Sequence, residues 1–119
     1  MNEVLDMQVV EELMSLSDDG DPDLLLDLIQ LFLEDGPGKV AAIEQGLAAC
    51  DFDQMERAAH ALKGSAGNLG ARLLQGVCEQ MQLATRQHQL PEMQQLTPQL
   101  QARFAEAKMA LQGLQTRFS

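Results

Sequence analysis

The sequence predicts an all-α fold: an antiparallel four-helix bundle with additional N-terminal helices covering one end. Three observations carry this. Apolar residues recur at three- and four-residue steps along most of the chain, the period of one helix face. Hydrophobic residues make up 45% of the 119, yet only 3% are aromatic, with no Trp or Tyr. A core of Leu, Ala, Met and Val suits helices better than sheets. The breaks between apolar stripes are short, which makes successive helices antiparallel neighbours. A chain of this length supports a single domain with one core, spanning 1–119.

The first helix is predicted from Asp6 to Ser17 on Val9, Val10, Leu13, Met14 and Leu16, ending in the turn-rich Asp18-Asp19-Gly20. Asp21 as N-cap, with Pro22 at the first helical position, starts the second. Leu24, Leu25, Leu28, Ile29, Phe32 and Leu33 form its stripe. Gly36-Pro37-Gly38 should end it, because proline removes a helix donor and can open a new helix. Val40, Ile43, Leu47 and Ala48 continue as a third helix to about Cys50.

Asp51 or Asp53 caps the fourth helix, which ends at Asn68-Leu69-Gly70 with Gly70 in the left-handed position. A fifth, from about Arg72 to Gln87, buries Leu73 or Leu74, Val77, Cys78, Met81 and Ala84. Gln75, Glu79, Gln82 and Arg86, at steps of 4, 3 and 4, form its outer polar strip. After Leu90-Pro91, a stripe of Met93, Leu96, Leu100, Phe104, Ala107, Leu111, Leu114 and Phe118 keeps phase through Pro98. That predicts one helix kinked near Thr97, or a short helix followed closely by a long one. Met14, Met55, Met81 and Met93 belong to core stripes.

Charge narrows the function. The net charge of −10 is uneven: residues 1–53 carry 14 acidic and 1 basic side chain, residues 54–119 carry 4 and 7. Nucleic acid is a poor partner for such a chain. Cys50 and Cys78 lack CxxC spacing and read as reduced, buried thiols. The N-terminus has no basic region followed by an apolar run, so no signal peptide is expected. Leu24 to Leu33 is interrupted by Asp27 and Gln30 and falls short of the about 20 residues that span a bilayer. A cytoplasmic protein without membrane partners is the expectation, and a monomer, since no helix has a second apolar face. The starting Met and the full last helix favour an independent small protein.

One stretch stands apart, Ala59 to Ala71. At about 100° per residue, Met55, Ala58, Leu62, Ala66 and Leu69 share one side, while Asp53, Glu56, Arg57, His60, Lys63, Gly64 and Gly67 point the other way. His60 is therefore on the wet face, where an imidazole can act as a nucleophile. Lys63 and Gly64, at i+3 and i+4, share its patch. A mid-helix glycine costs about 1 kcal/mol relative to alanine, and Gly64 and Gly67 bear that cost on one face, so something should need the space. A bare surface beside a nucleophile admits a bulky partner, and the lysine can pair with an arriving anion, best a phosphoryl group. Glu56 at i−4 from His60 makes only a weak metal-ligand set. His88, near a helix C-terminus, favours the dipole there.

The run His-x-Leu-Lys-Gly-Ser-Ala-x-Asn-Leu-Gly-Ala, seen as His60 to Ala71, resembles the signature of histidine-containing phosphotransfer (HPt) domains, relay modules of multistep two-component signalling. By order of elements the resemblance covers about Leu5 to Phe118. It implies that His60 takes a phosphoryl group, on Nε2, from a phospho-aspartate of one receiver domain and passes it to another. Lys63 then offsets the charge of the phosphohistidine, and Gly64 and Gly67 give the partner clearance. Gln82, 22 residues after His60, stands where relatives place a polar group that hydrogen-bonds the imidazole. Arg57 and Arg86 are candidate receiver contacts. The implied partners are response-regulator receivers and a hybrid sensor kinase. No cofactor or metal of the chain's own is implied, Mg2+ being held by the receiver. The protein would be a phosphocarrier without autonomous kinase activity, because no Gly-rich nucleotide loop is present. The alternatives are an excised phosphoacceptor domain of a hybrid or chemotaxis-type histidine kinase, or a helical adaptor that binds receivers without transfer.

Overall fold

In the computed structural model, which describes residues 4–16 and 20–118, the first three helices each start on an aspartate whose side chain accepts a first-turn N–H. Asp6 opens α1 (Met7–Ser15) by accepting the Gln8 N–H at 3.0 Å. Asp21 accepts the Asp23 N–H at 3.0 Å at the start of α2 (Asp23–Ala49), so the capping side chain is the expected one, with regular helix beginning just after Pro22. Asp51 rather than Asp53 caps α3 (Phe52–Asn68), accepting the Gln54 N–H at 3.1 Å. α4 (Arg72–Arg86) and α5 (Leu90–Phe118) complete the order. The turn expected at Asp18-Asp19 and the end of the first helix at Ser17 lie outside the described residues.

Three helix ends share one closure. Gly70 sits at φ 77° with Ala71 N–H bonded to Ala66 O, and Cys50 at φ 54° with Asp51 N–H bonded to Gly46 O. Each is a left-handed residue after the last turn, feeding orphan carbonyls. His88, at φ 55°, does the same for α4 through Gln89 N–H to Ala84 O. Cys50 is exposed in this role, a correction to its expected burial; Cys78 is buried, and both thiols are free.

α2 corrects the expected break at Gly36-Pro37-Gly38: one helix of 27 residues runs through Pro37. A proline there removes one backbone bond and costs about 3 kcal/mol, but Leu25, Ile29, Phe32, Gly36, Ile43 and Gly46 stay on one buried face on both sides of it. Burying each large apolar side chain is worth about 1.5–3 kcal/mol, so the continuous stripe outweighs the lost bond. Gly36 serves contact rather than termination. A Cβ there would lie 2.6 Å from the Phe104 ring, and Phe32 stacks on the same ring at 5.4 Å between centroids. With the second and third helices merged, α1 is the single described helix outside the bundle, not one of several.

α5 is likewise one helix through Pro98. Thr97 Oγ1 donates to Met93 O at 2.8 Å, beside the carbonyl that Pro98 leaves unbonded. At 1.5 Å per residue its 29 residues span about 43 Å, close to the 48 Å long axis of the molecule. α2 packs on α3, α3 on α4, α4 on α5 and α5 back on α2, which closes the four-helix bundle. Gln115 donates to Gln30 Oε1 at 3.0 Å and Gln101 donates to Glu44, fixing α5 antiparallel to α2. The core is Leu, Ala, Met and Val with few rings, Leu74 rather than Leu73 facing it. Among the described residues no helix is long and apolar enough to cross a membrane.

α1 closes one end. The Asp6 N–H bonds Gly70 O at 2.8 Å, and its carboxylate takes Arg72 Nε at 2.7 Å. That guanidinium holds the Asp6 carboxyl below its ordinary value of 3.8. A lowered acid pKa contributes stability above the unfolded value and loses it as pH falls through the folded one. Acid unfolding followed by circular dichroism should therefore fall off less steeply below about pH 4 in Asp6→Asn than in the wild type. Gly36→Ala should lower stability by about 1–3 kcal/mol in denaturant titrations, despite alanine's higher helix propensity, because the Phe104 ring must move.

Candidate functional site

α3 buries Met55, Ala58, Ala59, Leu62 and Ala66, which leaves His60 exposed at mid-helix, as the periodicity requires. α4 lies antiparallel beside it, and three contacts, two of them polar, record the register. Gln75 fills the space at Gly67, Gln82 meets His60, and Arg86 meets Glu56. Each step of seven or four residues along one helix is matched by the same step backward along the other.

Gln82 Nε2 stands 3.1 Å from His60 Nδ1. The residue is 3% exposed, so it is not part of an outward strip as the spacing of Gln75, Glu79, Gln82 and Arg86 had predicted. That strip faces the seam with α3, and only Glu79 and Arg86 in it are exposed. Thr85 Oγ1 donates to the Gln82 carbonyl at 2.7 Å, within the same turn. Gln82 Oε1 is buried and has no hydrogen-bond partner among the described residues. In the orientation where the amide NH2 donates, Nδ1 accepts and the ring proton sits on Nε2. Turned by 180°, Oε1 accepts from Nδ1–H and the Nε2 lone pair is bared. One end of the amide is unsatisfied either way, so the choice of tautomer is not locked by a competing bond.

Lys63 is half-buried and makes no ion pair among the described residues. Burial pushes the Cys78 thiol up to about 12, with the Lys63 ammonium pulling the other way. A Cβ at Gly64 would meet nothing within 4 Å, so that position is open to solvent. Gly67 differs from expectation. A Cβ there would sit 2.7 Å from Gln75 Nε2, so its bareness admits a neighbouring helix of this chain and not an incoming partner.

The two arginines flank the histidine and are both engaged. Arg57 Nη1 lies 2.8 Å from Asp53 on the same helix, and Arg86 Nε lies 2.9 Å from Glu56 across the seam. With His60 and Gln82, these residues line a shallow concavity of about 300 Å³. The Glu56–Arg86 pair was missed from the sequence, although the signal existed: once His60 faces Gln82 in antiparallel helices, residues four before the one and four after the other must also face. His88 tilts against Phe52 at 5.4 Å, at the bundle end where α2 gives way to α3.

The helical bundle thus displays a mid-helix imidazole, steadied by an amide of the adjacent helix and flanked by a bare surface and an ammonium group that makes no ion pair among the described residues. A family profile described as Hpt domain matches residues 27–110, and the chain belongs to that family. It is similar to histidine-containing phosphotransfer protein 2 of Arabidopsis thaliana, 34% identical over 70 residues, covering 56% of this chain and 45% of that one. It is similar also to histidine-containing phosphotransfer protein 1 of Oryza sativa subsp. japonica, 31% identical over 72 residues, covering 59% and 49%. The chain thus spans about half the length of the curated relatives it matches. The crystal structure of histidine-containing phosphotransfer protein B from Pseudomonas aeruginosa PAO1 superposes over 100% of both chains, with TM-score 0.90 and 24% identity, and shares the fold. That of MtHPt2 from Medicago truncatula covers 96% of this chain and 80% of its own, with TM-score 0.79 and 25% identity.

Gln82→Ala should redistribute the ring proton of His60 between its two nitrogens, read as a change in imidazole 15N shifts, while helix content stays that of the wild type. Unchanged shifts would remove the proposed tether.

Proposed function

We propose that this protein relays a phosphoryl group between receiver-domain aspartates in a cytoplasmic two-component phosphorelay, with His60 as the covalent carrier. The observation that carries the proposal is the mid-helix imidazole of His60 facing solvent, with Nδ1 held by Gln82 and Nε2 directed away from that bond.

The step follows from the ring. With its proton on Nδ1 and donated to Gln82 Oε1, the neutral imidazole offers the Nε2 lone pair in line with the phosphorus of a phospho-aspartate. The N–P bond forms as the P–O bond to the aspartyl group breaks, and the aspartate leaves as carboxylate with the bonding pair. The ring then carries phosphoryl on Nε2 and the proton on Nδ1, and the reverse step discharges the group to a second receiver. Such transfer depends on positioning and on charge neutralisation more than on covalent assistance. Lys63 supplies a cation that makes no ion pair among the described residues, suited to a group that carries about −1.5 to −2 charge. The open surface at Gly64 lets the receiver bring its own aspartate and Mg2+ to the ring. The chain acts as a phosphocarrier and not as a kinase, and partners are a hybrid sensor kinase and response-regulator receivers.

Incubation with a radiolabelled phospho-receiver should label the wild type and leave His60→Gln unlabelled; equal label in both would exclude His60 as the acceptor. Lys63→Ala should slow the transfer or shorten the life of the phosphohistidine. Gly64→Gln separates docking from folding, because a Cβ at this position meets nothing within 4 Å. It should unfold later than the wild type, by about 1 kcal/mol of recovered helix propensity, yet accept label more slowly.

A further inference from the structure

We infer that the Glu56–Arg86 ion pair is a charge latch on the phosphorylated state: Arg86 leaves Glu56 for the phosphoryl oxygens when His60 is loaded, and the carboxylate left behind makes that state easier to discharge. This rests on the phosphotransfer role of His60 and adds a residue pair that the role itself does not require.

Placement comes first. Glu56 is one helical turn before His60 on the same side of α3, and Arg86 is one turn after Gln82 on α4. Both line the concavity at the imidazole together with Arg57 and Gln82. Of the two arginines, Arg57 is held by Asp53 on its own helix. Arg86 reaches across the seam from the helix that also supplies the tether.

The hold on Arg86 is weak. Its Nε alone meets Glu56 Oε2, at 2.9 Å, and its two terminal nitrogens make no hydrogen bond among the described residues. The strong form of such a pair is the bidentate fork. The Arg86 side chain is 58% exposed and that of Glu56 31%, so the arginine can swing without disturbing the core. A phosphoryl group at Nε2 presents three acceptor oxygens and nearly two negative charges, against one oxygen of a singly charged carboxylate. The guanidinium therefore gains by changing partner.

Glu56 does not gain. In the unloaded protein its charge is met by Arg86; in the loaded protein it faces an anion one turn away with its partner drawn off. Glu56 thus favours the empty ring, while Arg86 and Lys63 favour the loaded one. A carrier that must release what it accepts benefits from that opposition.

The test uses the full chain, phosphorylated with phosphoramidate and followed by 31P NMR, with His60→Gln identifying the resonance. The reading is the pH midpoint at which the phosphoryl group on His60 gives up its last proton and becomes a dianion. Glu56→Gln should lower that midpoint and Arg86→Gln raise it, each by about 0.2–0.7 pH unit, the size expected of a partly exposed charge pair. Glu56→Gln/Arg86→Gln should return near the wild type. A pair that merely bridges α3 and α4 predicts equal losses of thermal stability in both single variants and no shift of opposite sign. Midpoints that stay unchanged, or move together, overturn the latch; the relay role is judged separately, by whether His60→Gln takes label from the phospho-receiver.

Discussion

The register of α3 against α4 is the constraint on which the site depends, and apolar burial sets it. Leu62, Leu74 and Met81 are each fully buried, at about 1.5–3 kcal/mol apiece. A net hydrogen bond contributes about 0.5–1.5 kcal/mol, so the contact between Gln82 and His60 follows from the packing rather than directing it. Alanines at 58, 59 and 66 keep the α3 face low, and the absent side chain at Gly67 takes in Gln75. A shift of the seam by one residue would bury different side chains and move all three contacts together. The chemistry is thus held in place by a surface it does not touch.

Electrostatics around the imidazole is arranged by occupancy. Exposed ion pairs stabilise little, typically about 0.2–1 kcal/mol, so Asp53–Arg57 and Glu56–Arg86 are poor explanations of why the bundle is folded. What they do is occupy both arginines beside the unloaded His60 and leave Lys63 as the cation there that makes no ion pair among the described residues. The acidic half of the chain, residues 1–53, lies mostly in α1 and α2, while the seam that holds the imidazole belongs to the more basic half.

Periodicity made most of the fold legible, and the exceptions share a cause. At Pro98 the apolar stripe keeps phase across the proline, which predicts one kinked helix or a short helix followed closely by a long one, and a single helix is what forms. At Pro37 the stripe is equally continuous, but the flanking glycines predict a break that the structure does not have. Gly36 and Gly67 are bare because another part of the molecule presses on them, Phe104 in one case and Gln75 in the other. Only tertiary contact separates those from Gly64, which faces open space. Gln82 is similar: helix spacing makes it part of a polar strip, and the approach of α3 turns that strip into a buried seam. Cys50 is exposed because the chain needs a left-handed residue there, a demand that apolar patterning does not display. His60, by contrast, could be read directly, because its exposure follows from one helix alone.

The tether on the ring is an uncharged amide. In hydrolytic triads a carboxylate occupies the same rear position, and its charge stabilises the imidazolium as it forms, which drives the ring toward taking protons. An amide offers an acceptor or a donor according to how it is turned and adds no net charge in either case. Held this way, the ring gains orientation with no charge placed behind it, and in the proposed relay the direction of transfer is left to the free energies of the two molecules that meet it.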